Sequence, residues 1–166
     1  MIKPSRVGHA TFETPDLDKA LAYYVEVNGL VLHARDKDRA YLSSKTGLLT
    51  LALERGREDG LRRISFEMTP TSDFTDLAKK LAADGVKSEV RSDAIPGVGK
   101  LLAFEDPKGT TIELFTEWKY LGAHHQVFGA GPLKLGHIAF EVPDPKAIAD
   151  FYCRVLGFKV SDWIED

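Results

Sequence analysis

The chain contains one cysteine, Cys153, among its 166 residues. A single cysteine cannot form an internal disulfide, which excludes a small secreted domain held together by disulfides. Residues 1–5 also lack the apolar run of a secretory signal peptide. We therefore expect a reduced, cytoplasmic setting, in which Cys153 is a buried structural thiol within a helix.

An excess of positive charge is absent as well. The 22 basic and 25 acidic residues are interspersed and give a formal net charge of -3. Without a basic face or a polybasic segment, we expect neither nucleic acid nor a membrane surface as a partner. The length of 166 residues suits one ordinary domain with a sizeable core, or one domain and a fragment of another.

The most informative feature that is present is an internal repeat. Residues 135–144 repeat residues 7–16 in ungapped register, sharing a Gly-His pair, a Phe-Glu pair and a Pro-Asp pair. The register continues downstream, where Tyr152 matches Tyr24 and Gly157 matches Gly29. The chain is therefore built from copies of one structural unit.

Periodicity predicts that each unit is a strand, a helix and three further strands. In the first unit, residues 6–14 alternate as a strand, Asp16 or Asp18 can cap a helix, and Asn28-Gly29 can end it. The other predicted segments are strands at 30–35, 39–43, 48–53, 62–68, 86–91, 99–105 and 110–116, and a helix at 73–85.

Two complete units occupy residues 6–55 and 61–117, and we assign residues 1–118 to one domain of paired modules. Gly and Pro interrupt the periodicity at 119–132, which we interpret as a connector. Residues 133–166 begin a third unit, with a strand at 135–142, a helix at 145–156 and the start of a strand at 158–164.

Three motifs carry a resemblance to a known family. The Val-Gly-His-x-x-Phe-Glu run at 7–13, the Asp-Pro-Lys-Gly-Thr-Thr-Ile-Glu-Leu run at 106–114, and the Phe-Tyr-x-x-Val-Leu-Gly-Phe run at 151–158 resemble the vicinal oxygen chelate superfamily. That superfamily includes glyoxalase I, bleomycin resistance proteins and type I extradiol dioxygenases. The resemblance implies an α+β fold of tandem βαβββ modules, which pair into a curved eight-stranded sheet around a cavity.

Two modules followed by the start of a third resemble the N-terminal portion of a two-domain extradiol dioxygenase. The resemblance implies an Fe(II) site in the C-terminal domain, with histidines on the first strands of modules three and four and a glutamate on the last strand of module four. His137 matches the first of these ligands. The repeat spacing from His9 to Arg63 is 63 − 9 = 54, which places the second histidine at about position 191.

The implied activity is ring cleavage of an aromatic vicinal diol with O2, as in the catabolism of aromatic compounds. Two imidazoles and a carboxylate on one face of Fe(II) leave adjacent positions open for the catecholate and O2. His137 alone cannot supply that geometry, so we expect the 166-residue chain to be inactive by itself. We assign no acid-base residue.

The first two modules carry four positions that match the superfamily's ligands: His9, Leu51, Arg63 and Glu113. Leucine cannot ligate, and a guanidinium repels a metal cation. We therefore predict that this domain holds no metal, that His9 is structural, and that Arg63 pairs with Glu113 inside the cavity. We also expect Trp118 to pack the connector against a domain.

Two other functions remain open within the superfamily. One is a metal-free protein that binds a small aromatic or hydrophobic molecule, and the other is a glyoxalase-like lyase or isomerase. The third unit carries apolar residues on its strand and helix without the strands that would cover them. We therefore expect it to pack on a second copy of the chain, giving a homo-oligomer, or to belong to a longer polypeptide.

Overall fold

The computed structural model describes residues 1–124, 128–139 and 141–163. Within those residues, one β-sheet of eight strands is accompanied by three α-helices. The strands are β1 Arg6–Thr14, β2 Val31–Arg35, β3 Arg39–Ser43, β4 Leu49–Arg55, β5 Gly60–Glu67, β6 Ser88–Ile95, β7 Val98–Glu105 and β8 Thr111–Phe115, and the helices are α1 Leu17–Ala22, α2 Phe74–Ala83 and α3 Pro145–Leu156.

The strand order, β2-β3-β4-β1-β5-β8-β7-β6, shows the two modules side by side. In each module the first strand pairs in parallel with the last, β1 with β4 and β5 with β8. The first strands of the two modules then pair antiparallel at the centre of the sheet. This arrangement confirms the predicted α+β fold of paired βαβββ modules and gives it a local twofold pseudo-symmetry.

An aspartate caps the start of each α-helix. The side chain of Asp16 accepts a hydrogen bond from the backbone N–H of Lys19, and Asp144 accepts one from Ala147 in the repeated position. Asp73 does the same at the start of α2. These caps satisfy N–H groups that have no partner within the helix, which is why the helices begin where the sequence predicted.

The ends of the repeated helices differ in detail. After α1, residues Tyr23–Val27 continue as a π-helical turn, so the predicted helix is locally widened before it ends at Asn28. Helix α3 stays regular to Leu156 and ends at Gly157, whose φ of 69° is left-handed. A Cβ at Gly157 would also lie 2.8 Å from the carbonyl oxygen of Ile2, so only glycine fits there.

The apolar core lies between the helices and one face of the sheet. Alternate residues of the central strands, such as Ile64 and Phe66 on β5 and Ile112 and Leu114 on β8, point toward α2 and α3. A second cluster lies beneath α1 and includes Leu51. The residues between these positions therefore face the opposite side of the sheet.

Helix α3 of the third unit packs on the sheet of its own chain. Its residues Phe151, Tyr152, Val155 and Leu156 are buried in the same cluster as the core of module two. The backbone N–H of Ile2 donates to the carbonyl of Val155 at 3.0 Å. The apolar face of this helix is therefore covered within the chain, contrary to the expectation that it is left bare. The uncovered helix face therefore no longer supports self-association of the chain. The homo-oligomer itself stays a prediction.

The predicted strands of the third unit are wrong for the residues that the structure describes. Residues 135–139 and 141–142 run without strand pairing, and so do residues 158–163, whereas Phe140 and Ile164 lie outside the described residues. A strand requires a neighbour for its backbone groups, and this segment lies over the face of the sheet instead of along an edge.

No helix in the described part of the chain is both long enough and apolar enough to cross a membrane.

Candidate functional site

A cluster of polar side chains lies at the pseudo-twofold axis, on the face of the sheet opposite the helices. His9 on β1 stands opposite Ser65 on β5, and Ser65 is the parallel-strand neighbour of Glu113 on β8. His9 and Ser65 are fully buried, and Glu113 is 2% exposed. Three neighbouring strands thus bring an imidazole, a hydroxyl and a carboxylate together in the interior.

A glycine next to His9 makes this packing possible. A Cβ at Gly8 would lie 2.5 Å from the ring of Phe115, so a larger residue there would push that ring away. The pairing of β1 with β5 also shifts register between Val7 and His9. Gly8 therefore lets β1 and Phe115 approach closely beside His9.

The hydrogen bonds of the cluster indicate which atoms are donors and which are acceptors. The hydroxyl of Ser65 donates to Oε2 of Glu113 and lies 2.8 Å from Nε2 of His9. Because Ser65 has a single proton and gives it to the carboxylate, Nε2 of His9 is the donor to Ser65. The other ring nitrogen, Nδ1, is buried without a hydrogen-bond partner among the described residues.

Arg63 supplies positive charge beside this buried carboxylate. Its Nε lies 3.7 Å from Oε1 of Glu113, which confirms the predicted pair. The guanidinium also forms a hydrogen bond to Glu54, and Nε of Arg39 lies 3.7 Å from the same carboxylate. The sequence did not reveal this second partner. Charges of alternating sign therefore extend from buried Glu113 to the exposed Arg39.

The pKa of Glu113 is held below its ordinary value by this environment. Burial acts against the charged form and would raise the pKa. The nearby imidazole of His9, the Ser65 hydroxyl and the charge of Arg63 act in the opposite direction and together prevail. Glu113 is therefore an ionised carboxylate inside the protein at neutral pH.

The fourth ligand-like position of this domain is Ala52, and the assignment of Leu51 was wrong. Ser65 pairs with Glu113 on β8, and its repeat equivalent Thr11 pairs with Ala52 on β4. A register shift between β3 and β4 inserts one extra residue into β4, which displaces the repeat by one position. Leu51 consequently points into the core beneath α1. Neither side chain can ligate a metal.

Aromatic rings close the cluster on the side of the connector. Trp118 lies edge-on to Phe115 with ring centroids 4.9 Å apart, and its ring centroid is 6.4 Å from that of His9. The guanidinium carbon of Arg6 lies 5.3 Å from the centre of the Trp118 ring. The connector then continues through a backbone hydrogen bond from Lys119 to Gly97. Trp118 therefore packs the connector on module two, as expected.

His137 occupies a different environment on the helix-covered side. Its side chain is exposed, and it borders two cavities of about 310 and 400 Å³. Phe12, Tyr24 and Leu51 help to line the first cavity, and Ile64, Tyr152 and other apolar residues line the second. His9 and His137 are equivalent in the repeat, but within the described part of the chain only His9 of the two is hydrogen-bonded to another side chain.

The described residues do not provide a metal site. Among them, no group of three or more His, Cys, Asp or Glu side chains converges to hold an ion. His137 is a single exposed imidazole, and at the pseudo-twofold axis a guanidinium lies beside His9 and Glu113. His33 and His124 are exposed, and His125 lies outside the described residues. The residues present therefore do not fit the implied iron.

Comparison with known families identifies the chain. A model of the Glyoxalase/Bleomycin resistance protein/Dioxygenase superfamily matches residues 6–114 and 134–165. The chain belongs to this superfamily. Both matched segments contain the repeated Gly-His strand motif, so the match covers the third unit as well as the first two.

Two curated relatives of the chain are named as dioxygenases. The chain is 30% identical to the 1,2-dihydroxynaphthalene dioxygenase of Sphingobium xenophagum, over 97% of this chain and 58% of that protein. It is 27% identical to an iron-dependent extradiol dioxygenase of Rhodococcus jostii, over 94% of this chain and 55% of that protein. The chain therefore spans somewhat more than half the length of these relatives.

Solved structures of the superfamily share the fold. The Mn(II)-bound glyoxalase from Novosphingobium aromaticivorans superposes with a TM-score of 0.84 at 27% identity, over 100% of this chain and 57% of that one. The 2,3-dioxygenase LapB from Pseudomonas sp. KL28 gives a TM-score of 0.81 at 23% identity, over 95% and 60%. The second likeness concerns the fold alone.

Proposed function

We propose that the chain is the N-terminal portion of an Fe(II)-dependent extradiol dioxygenase, which cleaves the ring of an aromatic vicinal diol with O2. The observation that carries this proposal is the match over 94–97% of the chain to two ring-cleaving dioxygenases, of which it spans 55–58%. Residues 1–118 would form the N-terminal domain, 119–132 the connector, and 133–166 the beginning of the catalytic domain.

In this proposal His137 supplies one ligand of the iron. Its exposed side chain borders two cavities, and it belongs to the third module instead of the first pair. The remaining ligands would come from outside the 166 residues. We therefore expect the 166-residue chain to lack ring-cleaving activity, and we expect the whole protein to work in the cytoplasm.

A ring-cleavage assay on the polypeptide encoded by the native gene, at its natural length, tests the proposal. The protein is loaded with Fe(II) without oxygen and then mixed with 1,2-dihydroxynaphthalene, biphenyl-2,3-diol or 3-methylcatechol in aerated buffer. We expect one O2 consumed per coloured ring-opened product from at least one diol, and none from residues 1–166. A native protein that binds these diols without metal and leaves them intact would be a binding protein instead.

A glyoxalase-like activity is the second candidate, because the Mn(II)-bound glyoxalase matches the whole chain at 27% identity. The same native protein, loaded with Mn(II), should then be active in a glyoxalase assay and inactive toward the diols. The two assays on one preparation separate these functions.

A further inference from the structure

Glu113 is a buried carboxylate that lies close to two basic side chains, His9 and Arg63. Glu113 is shared by both of the others, because Oε2 lies 3.6 Å from Nε2 of His9 and Oε1 lies 3.7 Å from Nε of Arg63. All three side chains come from the adjacent strands β1, β5 and β8 near the centre of the sheet. The carboxylate is thus between an imidazole and a guanidinium.

The buried carboxylate needs a neighbouring cation. Glu113 is 2% exposed, and an ionised carboxylate at such a site is stable only when it is paired and hydrogen-bonded. Ser65 supplies a hydrogen bond, and Arg63 supplies the charge. A divalent metal ion would meet the same requirement, so in this site the guanidinium performs the electrostatic role of a metal.

The repeat places Arg63 at the position equivalent to His9. The two residues are 54 positions apart in modules of the same register, and they lie on paired strands about the pseudo-twofold axis. An imidazole at position 63 would reach about as far from the backbone as Nε of arginine does. Two imidazoles and one carboxylate would then converge, which is a ligand set for Fe(II), Co(II) or Zn(II).

The spacing of the present atoms suits such an ion. Ligand atoms about 2.0–2.2 Å from a metal are separated from one another by roughly 3.0–3.6 Å in tetrahedral or octahedral geometry. The observed separations of 3.6 and 3.7 Å, measured from the two different oxygens of Glu113, are close to that range. Metal binding would require Nε2 of His9 to lose its proton and to exchange Ser65 for the metal, while the Ser65 hydroxyl keeps its hydrogen bond to Oε2 of Glu113.

We propose that Arg63 is a built-in cation at a latent metal site, and that this one side chain keeps a divalent metal out of the first module pair. In the remaining pair, Nε2 of His9 and Oε2 of Glu113 already lie 3.6 Å apart. The proposal concerns residues 1–118 alone and is independent of ring cleavage, so either can fail without the other.

Cobalt(II) binding to the 166-residue chain tests the proposal, because Co(II) bound by nitrogen and oxygen ligands gives visible d–d absorption. We expect the wild-type chain to give none, and Arg63→His to bind one Co(II) with a Kd below about 10 μM and to gain at least about 5 °C in Tm on binding. The double variants Arg63→His/His9→Ala and Arg63→His/Glu113→Gln should lose at least tenfold in affinity.

A second variant keeps the test decisive if the histidine variant does not fold. Arg63→Ala leaves a space between Glu113 and Glu54, and we expect 5–10 mM guanidinium, or about 1 mM Co(II), to raise its Tm but not that of wild type. Wild-type binding of Co(II) that depends on His9 would overturn the proposal. A folded Arg63→His chain without Co(II) binding, or an Arg63→Ala chain that neither cation stabilises, would overturn it as well.

Discussion

The phenol of Tyr152 on α3 donates a 3.1 Å hydrogen bond to Oδ2 of Asp106, in the turn that precedes β8. The other carboxylate oxygen of Asp106 accepts from the backbone N–H groups of Lys108 and Thr110. Burial, and then the charge of Asp106, raise the pKa of Tyr152 well above its ordinary value, so the phenol stays a donor. One carboxylate therefore shapes a turn of module two and holds the helix of module three.

The first prediction concerns this link. Tyr152→Phe keeps the ring packing but leaves a buried oxygen of Asp106 without its donor, and we expect a loss of about 1–2 kcal/mol in the free energy of unfolding. Tyr120→Phe makes the same chemical change on a side chain that is 70% exposed, and it should have little effect. Urea unfolding of both variants measures the difference. Equal stability of the two would mean that the hydrogen bond is not formed in solution.

The second prediction is a pH dependence that arises from Glu113. Because its pKa in the folded state lies below the ordinary value of 4.5, its ionisation stabilises the fold above that value, and this contribution is lost as the pH falls toward the folded-state pKa. Glu113→Gln should therefore have a lower free energy of unfolding than wild type at pH 7. This difference between the two proteins should become smaller on acidification below about pH 4.5. The exposed Glu105→Gln is the control. A stability difference that becomes larger at low pH would contradict the lowered pKa of Glu113 in the folded state.

The third prediction distinguishes packing from hydrogen bonding at Trp118. Its ring covers His9 and Phe115, whereas its buried Nε1 has no hydrogen-bond partner among the described residues. We expect Trp118→Ala to lower the free energy of unfolding by about 2–4 kcal/mol through lost packing. Trp118→Phe should lower it by less than half of that amount. Thermal and denaturant unfolding give the comparison. A phenylalanine variant as unstable as the alanine one would indicate that the indole N–H has a partner.

Features that depend on local chemistry were predictable from the sequence. Helix α3 has the predicted bounds, because Asp144 and Gly157 mark its two ends chemically. The pair of Arg63 and Glu113 was predictable from the resemblance, because both residues occupy positions that match the superfamily's metal ligands. The helix bounds, in contrast, require only the residues at the two ends of the helix.

Features that depend on the exact register between distant strands were not predictable. Glu54 as a partner of Arg63, and the extra residue in β4 that puts Ala52 in place of Leu51, follow from the register of strands far apart in sequence. Ser65 carried no motif, although its strand was found. The strand predicted at 135–142 was wrong for the described residues, because periodicity alone cannot supply the neighbouring strand that pairing requires.

The fourth prediction contrasts the two histidines of the repeat and rests on the proposed function. In the native-length protein, His137→Ala should abolish ring cleavage and reduce iron binding, yet leave the thermal unfolding of residues 1–118 within about 1 °C of wild type. The reason is that His137 is exposed and has no hydrogen bond or ion pair among the described residues, so its loss costs little stability. His9→Ala should behave in the opposite way.

His9 is fully buried, and its removal takes a donor from Ser65 and leaves a cavity beside Phe115 and Trp118. We expect a loss of about 2–3 kcal/mol in stability, with ring cleavage per mole of folded protein and iron content almost unchanged. Measuring activity, iron content and unfolding on the same preparations separates the two effects. Full activity of the His137 variant would remove this residue from the site, and loss of iron in a still-folded His9 variant would locate the metal in the first module pair.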